Sequence, residues 1–181
     1  MLDQLSVLKL VTGRLDAAGI RYMITGSIAL GHYAQPRFTR DIDLVVELRV
    51  EDVERLSALF RDQFECDEDA MRTAISRQSM FNLIHTEAIV KVDFVVRKSA
   101  PYRLEEFGRR RPTVIDGQTM WMVSREDLIL SKLQWAKDSR SELQLRDVRQ
   151  IIAAQPGIDW SYLERWAEST SVTELLREVR A

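Results

Sequence analysis

Cysteine is nearly absent from this 181-residue chain: Cys66 stands alone. An internal disulfide is excluded, and a disulfide-stapled secreted scaffold with it, so the expected setting is a reducing cytoplasm. Histidine occurs only as His32 and His85, neither at ligand spacing from another His or Cys, which argues against zinc. A dominant charge is also missing. The 26 Lys and Arg against 28 Asp and Glu leave a net charge of −2, so no global basic field points to nucleic acid or an anionic membrane. No apolar run approaches the roughly 20 residues of a membrane span, which predicts no membrane partner. The opening MLDQLSVLKLVTGRL interleaves acid and base with apolar residues, unlike a secretory leader. Internal repeats and low-complexity tracts are absent as well. What remains is 45% hydrophobic and 30% charged, enough for one core or a core with a small appended unit.

Periodicity divides the chain near Val123-Ser124. Leu5, Leu8, Val11 and Leu15 predict a helix over 3–18, ended by Ala18-Gly19. Residues 21–24 read as a short strand, Thr25-Gly26-Ser27 as a turn, and 28–33 as a helix broken by Pro36. Residues 41–48, 80–86 and 89–96 read as strands and 51–62 as a helix, while 64–79 carry little signal. Asp116-Gly117 predicts a hairpin between 113–116 and 118–123. Beyond it, Ser124 with Asp127 resembles a capping box, and Ser141 with Gln144 repeats the spacing. Further helices are expected from Asp159 and from Val172. The four tryptophans, at 121, 135, 160 and 166, are expected to pack the helical tail against itself and the sheet. The expected fold is α/β (α+β): a mixed-sheet core over 1–123 followed by a helical segment over 124–181.

The segment TRDIDLVVE raises the chemical question. In a strand, residues i and i+2 share a face, so Ile42, Leu44 and Val46 form an apolar face while Asp41 and Asp43 share the other. Their backbones lie about 6.5–7 Å apart on that face, close enough for both carboxylates to converge on one hard cation. Like charges so near repel unless a positive group intervenes, and Mg²⁺ accepts such ligands. The run IVKVDFVV repeats the pattern, with Asp93 opposite Val92, Phe94 and Val96. If the strands are neighbours, three acids surround one or two cations, as in-line phosphoryl transfer requires. The plain alternative is three solvated acids on half-exposed strands, and Lys91 is the plain neutraliser of Asp93. The Gly26-Ser27 turn before a helix offers amides for phosphate, or serves as an ordinary cap. Arg37 and Arg40 flank the acids, either binding phosphate or offsetting charge.

The stretch ITGSIALGHYAQPRFTRDIDLVV resembles the signature of the polymerase-β-like nucleotidyltransferase superfamily. Arg37-Phe38-Thr39-Arg40 ahead of Asp41-Ile42-Asp43-Leu44 is most similar to the small bacterial type, which includes abortive-infection toxins and lincosamide nucleotidyltransferases. The resemblance implies a Mg²⁺-dependent transfer of a nucleoside monophosphate from an NTP to an acceptor hydroxyl, on RNA or on a small molecule. Gly26 and Ser27 would hold the triphosphate, Asp41 and Asp43 would bind metal, and Asp93 would ligate metal and help deprotonate the acceptor. The tail SREDLILSKLQWAKDSRSELQLRDVRQII also resembles the toxins, so that Lys132 would reach the phosphates and Arg146-Asp147 would match a later pair. A toxin would have an antitoxin protein as partner. Antibiotic modification and a non-catalytic nucleotide-binding relative are the alternatives. Read from charge alone, Asp147 is half of a solvated pair, Lys132 a helix-flank lysine, and Arg109-Arg110-Arg111 a solvated loop or a patch steering an acidic acceptor. His32 is placed near the phosphate turn.

Overall fold

Asp3 accepts a hydrogen bond from the Ser6 amide at 2.8 Å and so starts α1 (Gln4–Ala17). Its inward residues Val7, Leu8, Val11 and Leu15 are fully buried. These details come from a computed structural model, which describes residues 3–37, 39 and 41–180; Arg40 lies outside the described residues.

The strands among the described residues are β1 (Tyr22–Ile24), β2 (Asp41–Val46), β3 (Phe64–Glu65), β4 (Met80–His85), β5 (Lys91–Val96), β6 (Arg111–Ile115) and β7 (Gln118–Met122). They form one sheet in the order β3-β4-β5-β2-β1-β7-β6. The β2–β5 and β1–β7 pairs are parallel and the others antiparallel. Asp116 and Gly117 both take positive φ, at 45° and 77°, as the tight Asp-Gly turn between β6 and β7 requires.

Helices α2 (Gly26–Tyr33), α3 (Val53–Phe60), α4 (Glu68–Ser76) and α5 (Pro101–Gly108) fall between the strands. Two of them escape the periodicity reading. In α4 only Met71, Ala74 and Ile75 are buried, too few to mark a stripe. In α5 the buried set is Tyr102, Glu106 and Phe107, and a buried glutamate reads as surface.

The tail is helical: α6 (Arg125–Ser139), α7 (Glu142–Ala154), α8 (Trp160–Ser169) and α9 (Thr173–Arg180). The fully buried Asp127 ties it to the sheet half. It accepts from Ser124 Oγ and Tyr162 Oη at 2.6 Å each and from Arg109 Nε at 3.1 Å. The Arg109 guanidinium also lies 3.8 Å from the centre of the Tyr162 ring. Arg110 packs on Phe107 and Trp121, and Arg111 opens β6. For Arg109 and Arg110 the expected solvated loop is therefore corrected to a structural clamp, because buried acids and aromatic faces supply partners that local sequence does not reveal, while Arg111 is exposed.

Two further corrections concern the tail. Ser141 precedes α7 without a side-chain cap bond, and Gln144 turns inward to Lys132 instead. Trp160 and Trp166 pack against the core, but Trp135 is 69% exposed.

Candidate active site

β2 and β5 run side by side in parallel, with Asp43 paired to Asp93 and Asp41 to Lys91. The alternation expected of β2 is present: Ile42, Leu44 and Val46 are fully buried and the intervening residues half-buried. All three acids thus share one face of adjacent strands. Asp93 is nearly buried, at 6% exposure.

Gly26 adopts φ +63° at the first position of α2 and presses against Asp43. A Cβ there would lie 2.0 Å from Asp43 Oδ2, so no other residue fits without moving the acid. The Thr25 amide bonds to the Asp43 carbonyl at 3.0 Å, fixing the turn to the strand. The Thr25 side chain makes no cap bond, which leaves amides at the start of α2 for other acceptors. Burial raises the Asp43 carboxyl above its usual range, the charges of Asp93 and Asp41 add to this, and the Ser27 amide opposes it.

Among the described residues, no three His, Cys, Asp or Glu side chains are gathered closely enough to hold a metal ion as they stand. The expectation that the three carboxylates meet around a cation is corrected to that extent: Lys91 holds the position between two of them. Its Nζ lies 2.9 Å from Asp93 Oδ2 and 3.6 Å from Asp41 Oδ2. The donors still suit a hard cation. Asp93 Oδ1 is buried with no hydrogen-bond partner among the described residues, a costly state that a cation would relieve.

The acids Asp41 and Asp43 line a cleft of about 570 Å³, together with Gly26, Ser27, Arg37 and Lys132. Lys132 is 4% exposed, so it is not the surface lysine that its helix-flank position suggests. Its Nζ donates to Asp147 at 2.8 Å and to Gln144 at 3.2 Å, and Arg37 Nε donates to the same Asp147 oxygen at 3.3 Å. Asp147, expected on a solvated face, is buried because α7 packs it against this pair. Burial pulls the Lys132 ammonium below its usual range, and the Asp147 carboxylate opposes that.

The cleft is also lined by a set that sequence reasoning missed. Arg103 donates to Glu106 at 2.8 Å and to Gln134 at 2.6 Å, and Ser131 donates to Glu106 at 3.1 Å. Trp135 stands exposed among the residues lining this cleft. Only the helical spacing of Leu128, Ser131, Lys132 and Trp135 could have signalled the face. His32 is exposed and not among the lining residues.

Comparison with known proteins defines the class. The fold is that of nucleotidyltransferase-like proteins. The antibiotic-resistance factor ANT(2'')-Ia superposes with a TM-score of 0.64 over 98% of each chain at 14% identity. An antigenic nucleotidyltransferase-like protein from Paracoccidioides brasiliensis gives 0.60 at 19% identity, covering 95% of this chain and 91% of that one. The lincosamide antibiotic adenylyltransferase LnuA, solved with lincomycin, gives 0.55 at 12% identity over 82% and 96%. Within that class the chain belongs to the family described as nucleotidyltransferase of unknown function (DUF6036), whose model matches residues 2–181. No curated protein matches it in sequence.

Proposed function

We propose that this nucleotidyltransferase moves a nucleoside monophosphate from an NTP to an acceptor hydroxyl and releases pyrophosphate. The observation that carries the reading is the register setting Asp43 beside Asp93, beneath a Gly26 turn that admits no side chain. The amides at the start of α2, with Ser27, receive triphosphate oxygens, and the positive end of the helix favours their charge. Lys132, whose ammonium is bound by Asp147 and Gln144 in the wall of the cleft, is proposed to turn to the same phosphates. Arg37 shares that anchor and completes the basic wall; Arg40 is proposed as a further phosphate ligand.

Asp41, Asp43 and Asp93 would hold a divalent cation such as Mg²⁺, which would neutralise charge developing on the transferred phosphoryl group. Asp93 accepts the proton of the attacking hydroxyl, whose oxygen bonds to the α-phosphorus as the bond to the pyrophosphate oxygen breaks. Positioning and charge neutralisation are the main demands of such a reaction. The acceptor is a hydroxyl of RNA or of a small molecule; a small-molecule acceptor corresponds to antibiotic modification. If the chain is a toxin, an antitoxin protein is its proposed partner.

Calorimetry with each Mg·NTP tests the reading. The native protein is expected to bind at least one tightly, and Asp43→Asn to remain folded but lose that binding. Equal affinity in the two proteins would overturn the assignment.

A further inference from the structure

We propose that Lys91 is a built-in cation of the acid cluster, supplying to Asp93 and Asp41 the positive charge a second divalent ion would otherwise bring, so that the site works with one divalent ion. This rests on the nucleotidyl-transfer reading above. The register of β2 against β5 puts Lys91 opposite Asp41 and two residues before Asp93, on the face the acids share. Its ammonium bridges the two, 2.9 Å from Asp93 Oδ2 and 3.6 Å from Asp41 Oδ2.

The two oxygens of Asp93 are thereby divided. Oδ2 pairs with Lys91 and keeps a second lone pair for the proton of the attacking hydroxyl, while Oδ1 is buried and unpartnered among the described residues. A divalent ion reaching Oδ1 would satisfy it without displacing Lys91. Charge counting agrees. The carboxylates of Asp41, Asp43 and Asp93 with the ammonium of Lys91 sum to −2, which one divalent ion cancels. Paired catalytic ions lie about 3.5–4 Å apart and lean on shared carboxylates. A second ion here would face a resident ammonium already at hydrogen-bond distance from Asp93, and the two positive charges would repel.

Electron paramagnetic resonance of bound Mn²⁺ decides the matter, with α,β-methylene analogues of ATP, GTP, CTP and UTP supplied in turn. The native protein is expected to hold one Mn²⁺ per chain with a mononuclear spectrum. Lys91→Met is expected to hold two, with the exchange-coupled spectrum of a close pair, and Lys91→Arg to return to one. Lys91→Gln replaces Lys91→Met if the latter does not fold. A coupled pair in the native protein, or a single Mn²⁺ in the folded uncharged variant, would overturn the proposal. A native protein that binds no analogue, and Mn²⁺ no better than Asp43→Asn, would instead overturn the nucleotidyl-transfer reading.

Discussion

Gly26 and Asp43 constrain each other. With φ at +63° and a hypothetical Cβ 2.0 Å from the carboxylate, Gly26→Ala must displace Asp43 or unwind the first turn of α2. The left-handed backbone alone costs about 1–2 kcal/mol for a residue with a Cβ. Chemical denaturation should show at least that loss, and Mg·NTP binding should weaken with it; a variant as stable as the native protein would show that the turn is looser than described. Asp43 also gives a pH signature. Its carboxyl is raised above its ordinary 3.8, by burial first and by the charges of Asp93 and Asp41 next. A carboxyl raised on folding holds its proton more tightly in the folded chain than in the unfolded one. Its contribution to stability is therefore complete below pH 3.8 and is lost as pH rises through the raised value. In metal-free buffer Asp43→Asn should melt higher than the native protein at pH 7, and the gap should close as pH falls toward 3.8. A variant that melts lower at pH 7 would mean that the charged Asp43 is better compensated than its surroundings imply.

Asp127 is one tie between the helical tail and the sheet half. Replacing it with alanine leaves Arg109, Ser124 and Tyr162 without their shared acceptor. Breaking a buried charged pair from one side costs about 3–5 kcal/mol, so Asp127→Ala should lose roughly that much in urea unfolding; a loss below about 1 kcal/mol would reduce the hub to an incidental contact. This element shows what the sequence could disclose. The Ser124–Asp127 cap is a local device, legible from a spacing of three, as is the Asp116-Gly117 turn between β6 and β7. The alternation of β2 is local too, which is why Asp41 and Asp43 could be placed on one face. The partners of Asp127 come from α8 and from Arg109, residues 35 and 18 positions away in the chain, and no local pattern encodes them. The same reason hid α5: its buried Glu106 is satisfied by Arg103 on its own helix and by Ser131 on α6, a pairing only the fold creates. Asp147 reads as solvated beside Arg146 until α7 docks it onto Lys132.

Across the whole molecule, the cleft draws its walls from both halves: acids from β2, the Gly26-Ser27 turn, Lys132 and Trp135 from α6, and Gln144 from α7. Lys132 lines the same cleft as the strand acids, so the proposed chemistry draws on the tail as well as the sheet. Nucleotidyl transfer is proposed to proceed with Asp93 accepting the proton of the attacking hydroxyl. Its most direct test is pyrophosphate release, with transfer of label from α-³²P-labelled NTPs in Mg²⁺ buffer to total tRNA or to small hydroxyl-bearing antibiotics. The native protein should transfer label to one acceptor class. Asp93→Ala should lose at least the factor of about 10²–10⁴ that a positioned base supplies, with NTP affinity changed only several-fold. Undiminished turnover in Asp93→Ala, or no transfer by a native protein that binds Mg·NTP, would contradict the account.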